Sequence, residues 1–198
     1  MSRGPSDLAR SQREAILKIG LPEKDLELLQ NGRLVDTPAV LAMRKSAATI
    51  TVLSGPPGCG KTTAASAWLW SWVRDPSNWG KGCFGDDEAT WKAPGMWTTA
   101  ARLARMDKYD AGAVDALHKA ARLVVDDLGA EYSDAKGFFQ SFLDELINER
   151  YAGMRPTLIT TNCKTEEFKA RVGERITDRL REMGRFVAIL GPSMRKGA

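Results

Sequence analysis

Residues 55–62 read Gly-Pro-Pro-Gly-Cys-Gly-Lys-Thr, a complete G-x-x-x-x-G-K-[ST] pattern. A glycine-rich turn that opens a helix aims several backbone N–H groups, and the positive end of the helix dipole, at one spot. The pattern therefore implies a bound anion, the polyphosphate of a nucleotide. In that geometry Lys61 reaches the β- and γ-phosphates and the Thr62 hydroxyl ligates Mg²⁺, with ATP the expected nucleotide. Gly58 and Gly60 supply backbone conformations that side-chained residues resist. The expected contacts run through Gly55, Pro56, Pro57, Gly58, Cys59, Gly60, Lys61, Thr62 and Thr63.

A second wall is written further along. Leu123-Val124-Val125-Asp126-Asp127 is an apolar run ending in two acids. Buried parallel strands read as continuous apolar runs, and ligands collect at their carboxyl ends. Asp126 would complete the Mg²⁺ shell there, and Asp127 would orient or deprotonate the attacking water. Alone, the run also fits a strand entering a solvated turn; the upstream phosphate loop favours the site. Thr157-Leu158-Ile159-Thr160-Thr161-Asn162 is a similar run ending in an amide. Asn162 beside a γ-phosphate positions water, and it suits a turn equally well.

Bringing these groups together takes alternating strands and helices. Thr49–Ser54 is β-branched and reads as a strand, and Lys61–Val73 carries an apolar stripe through Ala64, Ala65, Trp68, Leu69, Trp72 and Val73. Met96–Thr99 reads as an edge strand before a helix over Ala100–Lys108. Phe138, Phe139, Phe142, Leu143, Leu146 and Ile147 keep a helical stripe that ends near Gly153, Pro156 restarts the chain as a strand, and Phe186–Leu190 is a last apolar run. Thr37-Pro38 before Ala39–Lys45 has the form of a capped helix. The sum is a three-layer α/β domain of the P-loop NTPase type with a mostly parallel five-stranded sheet. Residues 1–48 form a short N-terminal helical extension and linker, and residues 49–198 the ATPase core.

The 198 residues suffice for one compact domain and not for two full ones. The first residues lack the apolar core of a signal peptide, and no stretch approaches a membrane span. Cys59, Cys83 and Cys163, with the lone His118, make neither a zinc site nor a disulfide framework. A cytoplasmic protein without membrane association is the expectation. The net charge of +4 permits contact with nucleic acid without requiring it. Arg102, Arg105 and Lys108 recur every third residue, either as a basic face that tracks a DNA backbone or as an ordinary solvated surface. In the 75–95 insertion, Trp79 and Trp91 either stack on bases or a partner, or plug the loop onto its own core.

The phrase Asp126-Asp127-Leu128-Gly129-Ala130-Glu131, then Asn148-Glu149-Arg150-Tyr151 and Arg155–Asn162, resembles the AAA+ ATPases of the DnaC/DnaI helicase-loader and IstB transposition-helper group. The likeness extends upstream through Ile19-Gly20-Leu21-Pro22-Glu23, and downstream through Gly173–Arg181 to Gly191-Pro192-Ser193-Met194-Arg195. It implies a homo-oligomeric ATPase with sites between subunits. Asn162 then looks like sensor 1, Arg179 like the arginine finger, with Arg175 the alternative, and Arg195 like the sensor 2 arginine. Without the resemblance the same arginines read as a solvated basic helix face. Expected partners are DNA, single-stranded by preference, and a replicative helicase. An IstB-like protein would instead bind duplex DNA and stimulate a transposase, and a third reading is an ATP-binding switch with little turnover. Three departures stand out. Little room precedes the core for a partner-binding module, a C-terminal lid is truncated or absent after Leu190, and the family's Asp-Glu pair is Asp126-Asp127. Asp127 is one methylene shorter than glutamate, so water activation is slower or Glu131 shares the task.

Overall fold

The computed structural model describes residues 16, 18–33, 36–44, 48–75, 78, 95–107, 109–129, 138–190 and 193. Its elements in chain order are α1 (Glu23–Gln30), α2 (Pro38–Arg44), β1 (Ile50–Ser54), α3 (Lys61–Val73), β2 (Met96–Thr99), α4 (Ala100–Ala104), α5 (Ala111–Lys119), β3 (Leu123–Leu128), α6 (Phe138–Ala152), β4 (Thr157–Thr161), α7 (Thr165–Met183) and β5 (Gly184–Ala188). The five strands form one sheet in the order β2-β3-β4-β1-β5, and every neighbouring pair is parallel.

Two apolar clusters cover the two faces and make three layers. On one, Leu53, Trp97, Val124 and Leu158 of the strands meet Leu69 and Val73 of α3 and Leu26 of α1. On the other, Ile50, Val52, Val125 and Ile159 meet Leu103, Leu117, Leu146 and Phe168 from α4, α5, α6 and α7. Side chains alternate across each strand, so one strand feeds both layers. Ile16, Ile19, Leu21, Ala39, Val40 and Met43 belong to the first cluster, so these described residues before β1 pack into the same body as the sheet. The Thr37 hydroxyl accepts the Val40 N–H at 3.2 Å and starts α2 as the Thr-Pro pair predicts. A buried tie joins α1 to α3: the Ser66 hydroxyl donates to the Asp25 carboxylate at 2.6 Å.

The expected helix over Ala100–Lys108 ends at Ala104. Asp107 accepts the Tyr109 N–H through its side chain at 2.9 Å, and Asp110 caps α5 by accepting the Ala113 N–H at 3.0 Å. Aspartates bonding their own local backbone compete with helix continuation, which is why this segment turns. A single helix face carrying Arg102, Arg105 and Lys108 is therefore not formed: Arg105 is the C-cap of α4, and Lys108 lies outside the described residues. Helix α7 also departs from regularity. Gly173 has φ 80° and ψ 174°, which breaks the helix in two. The freed Val172 carbonyl accepts from Gln140 Nε2 at 2.6 Å.

One buried cation holds the end of the sheet opposite the phosphate loop. Arg150 is fully buried; its guanidinium donates to the Leu117, His118, Ala120 and Pro156 carbonyls and to the Thr157 hydroxyl, at 2.8–3.2 Å. These include the carbonyls that end α5, which lack helical partners. Burial, helped by the charge of Arg155, pushes the Arg150 pKa down to about 9. It stays protonated at neutral pH. Arg150→Met keeps the volume but strands several buried acceptors, at about 1–3 kcal/mol each. A net loss of about 3 kcal/mol lowers Tm by roughly 6–12 °C for a domain this size. A thermal melt that moves by less than roughly 2 °C would refute the role.

Candidate nucleotide site

The carboxyl ends of β1, β3 and β4 lie side by side in the sheet, so the loops that leave them converge on one edge. From β1 the chain runs into the Gly55–Gly60 turn. Gly58 and Gly60 have φ of 83° and 88°, the left-handed region that glycine enters without strain, and Gly60 is the N-cap of α3. Cys59 is buried beneath the turn, while Pro56 and Pro57 are exposed on it. The first N–H groups of α3 are thereby presented at the rim.

Lys61 is only 7% exposed. Its Nζ donates to the Gly55 carbonyl at 2.7 Å, the Pro56 carbonyl at 2.9 Å and Asn162 Oδ1 at 2.9 Å, and it lies 3.7 Å from Cys59 Sγ. An ammonium has three donors, and here three oxygens take them. Asn162 in turn donates through Nδ2 to Asp127 Oδ1 at 3.0 Å. A single amide thus joins the loop lysine to the second acid.

Thr62 Oγ1 lies 3.2 and 3.3 Å from the two oxygens of Asp126. Asp126 also accepts the Thr160 hydroxyl at 2.6 Å. Burial pushes its carboxyl above the ordinary range. The Thr160 and Thr62 hydroxyls pull it back, and the nearby charges of Asp127 and Asp25 push it further up. Hydroxyl and carboxylate oxygens are hard ligands, and Mg²⁺ is held by one or two such groups plus phosphates and waters rather than by a full protein cage. That fits the donor set here, since no cluster of three or more His, Cys, Asp or Glu among the described residues could hold a metal by itself.

The loop residues Gly55 to Thr63, Asp126, Asp127 and Asn162 are therefore brought together. Others are not. Arg179 lies away from them, its guanidinium 4.6 Å from the Tyr151 ring centroid, 3.3 Å from Asn148 Oδ1 and 3.8 Å from Glu182. Hydrogen bonding to Glu182 raises the Tyr151 pKa, so the three side chains act on one another. Arg175 is exposed one turn earlier on the same helix, and both arginines line a groove of about 430 Å³ between α6 and α7. Arg102 and Arg105 are exposed on and just after α4. Glu131, Arg195 and Lys108 lie outside the described residues, as do Trp79 and Trp91. Sequence reasoning does not single out Thr160; a hydroxyl inside a buried strand is the signal that could have found it.

No protein-family model matches the chain, and no curated protein matches it. Solved structures do. The chain superposes on the crystal structure of the DnaC helicase loader with TM-score 0.53 and 18% identity, covering 77% of this chain and 86% of that one. The crystal structure of DnaI gives TM-score 0.56 at 19% identity over 79% of this chain and 80% of DnaI. The replication initiator DnaA bound to AMPPCP and single-stranded DNA gives 0.58 at 17% identity, over 88% of this chain and 53% of DnaA, so the chain spans about half of that protein. The chain shares the fold of these structures.

Proposed function

We propose that the chain is a Mg²⁺-dependent ATPase that handles DNA as an oligomer, nearest in role to a replicative helicase loader acting on single-stranded DNA in the cytoplasm. The observation that carries this reading is the meeting of the Gly55–Thr62 turn, Asp126, Asp127 and Asn162 at one edge of an AAA+ sheet. The similar structures include a helicase loader and an initiator bound to a nucleotide analogue and single-stranded DNA, which supports the partner class.

In this reading Lys61 leaves the Gly55 and Pro56 carbonyls and turns to the β- and γ-phosphates of ATP. Thr62 and Asp126 hold Mg²⁺, which neutralises charge on the β- and γ-oxygens when bound. Asp127, oriented by Asn162, takes the proton of the attacking water. A guanidinium from the neighbouring subunit stabilises charge on the transferred group, and supplying it in trans makes hydrolysis depend on assembly. Arg179 supplies it by leaving Tyr151; Arg175 is the alternative on the same helix. Arg102 and Arg105, exposed on and just after α4, contact the DNA backbone.

Mixing subunits tests the assembly. A Lys61→Ala subunit offers an intact arginine and no usable site, whereas an Arg179→Ala subunit offers the reverse. Each alone is expected to turn over ATP at least tenfold more slowly than the wild type. Mixed with single-stranded DNA present, they are expected to regain a measurable part of that rate. Rescue only with Arg175→Ala as partner moves the finger to Arg175, and rescue with neither ends the trans mechanism.

A further inference from the structure

Strand β3 carries one more residue than its partner across the acids. Val125 pairs with Ile159 and Leu128 with Thr161, so three steps on β3 match two on β4. That is a β-bulge at Asp126-Asp127. Asp127 has φ 61°, a left-handed conformation that few residues other than glycine adopt, aspartate and asparagine among the exceptions. Bulges next to active sites re-aim side chains, and the residue they add loses its regular ladder partner.

One side chain answers both needs. Thr160 is 1% exposed, and its hydroxyl accepts the Asp127 N–H at 2.9 Å while donating to Asp126 Oδ1 at 2.6 Å. A hydroxyl has one proton to give, and here it goes to the first acid while a lone pair serves the backbone of the second. A threonine in a strand is also stiff about χ1, so the hydroxyl has little freedom to go elsewhere. We propose that Thr160 is a positioning residue for the ATPase reaction: it sustains the bulge that turns Asp127 and holds the Asp126 carboxylate in place with both oxygens beside Thr62, where the metal would bind. The inference rests on the Mg²⁺-ATP reading of this site and deepens it. It also accounts for the aspartate in place of glutamate, because the bulge turns the backbone at the second acid into a conformation that suits a short side chain.

The test compares Thr160→Val, which keeps the shape and removes the hydroxyl, with Thr160→Ser, which keeps the hydroxyl. Side chains that orient metal ligands through hydrogen bonds are worth about 10- to 100-fold in metal affinity or activity. Thr160→Val is expected to raise the Mg²⁺ concentration for half-maximal nucleotide binding at least tenfold, and to lower kcat at saturating Mg²⁺ by a similar factor. Nucleotide affinity without Mg²⁺ stays unchanged, and Thr160→Ser stays within about threefold of wild type in every measure. In nucleotide-free protein, amide exchange at Asp127 is expected to speed up about tenfold in Thr160→Val and not in Thr160→Ser. If Thr160→Val does not fold, Thr160→Ala carries the comparison. A lower Tm with unchanged Mg²⁺ dependence and unchanged Asp127 exchange overturns the positioning role and leaves the ATPase reading intact. A wild-type chain with no Mg²⁺-dependent ATP binding overturns both.

Discussion

Replacing Lys61 with alanine is expected to weaken ATP binding by roughly a hundredfold or more while the domain stays folded. Lys61 is the cation held inside the turn, with its Nζ within 2.9 Å of three oxygens that surround the expected phosphate position. Two charge-assisted bonds to phosphate oxygens contribute about 1.5–3 kcal/mol each. Part is offset because the ammonium must first leave the Gly55 and Pro56 carbonyls. A net of about 3 kcal/mol remains, which is roughly a hundredfold in Kd. The Gly55 and Pro56 carbonyls left behind belong to a half-open loop and Asn162 is exposed, so water can reach all three oxygens and Tm changes little. Titration with a fluorescent ATP analogue measures the effect, and a change smaller than about threefold would remove the phosphate site from this turn.

The second large effect falls on chemistry and not on binding. Asp127→Asn is expected to cut kcat by about 10²- to 10⁴-fold, the usual worth of a general base, with ATP affinity within a few-fold of wild type. The variant is well matched to the backbone, since asparagine accepts φ 61° as readily as aspartate. Only the charge is lost. Asp127→Glu, by contrast, places a longer carboxylate on a backbone that resists it, and is expected to fall below wild type even though glutamate is the usual second acid of the AAA+ ATPases that the sequence resembles. Single-turnover assays with radiolabelled ATP separate the two steps. Unchanged turnover in Asp127→Asn would pass the role to Glu131.

Whatever rests on periodicity is legible in the order of residues alone. Continuous apolar runs mark β1, β3 and β4, the Met96–Thr99 segment is an edge strand, and the stripe from Phe139 to Ile147 lies on α6. The turn before α3 is legible because glycines at fixed spacing take the left-handed backbone that Gly58 and Gly60 adopt where the helix begins. What stays hidden depends on contacts distant along the chain. Arg150 reads as a basic residue near a helix end, and nothing local announces that carbonyls from α5 and the start of β4 close around it. The bulge at Asp126-Asp127 is a mismatch between two strands, which neither strand records alone. The Ala100–Lys108 helix stops short for a local reason: Asp107 and Asp110 supply turn and cap oxygens where the spacing of basic residues invites a longer helix.

The joint at Gly173 separates two inheritances within one helix. Phe168 and Val172 before it and Ile176 and Thr177 after it bury α7 in the core, while Arg175 and Arg179 follow the joint on the second segment. Making position 173 helical would rotate that lower segment by an angle on the order of 100° per residue of phase change, sweeping both guanidiniums to a new bearing. Ile176 would leave the core in the same movement, so the core and the joint together hold the bearing of both side chains. In the proposed oligomer, this one joint would set how the arginines meet a neighbour, at a place apart from the turn that holds Lys61.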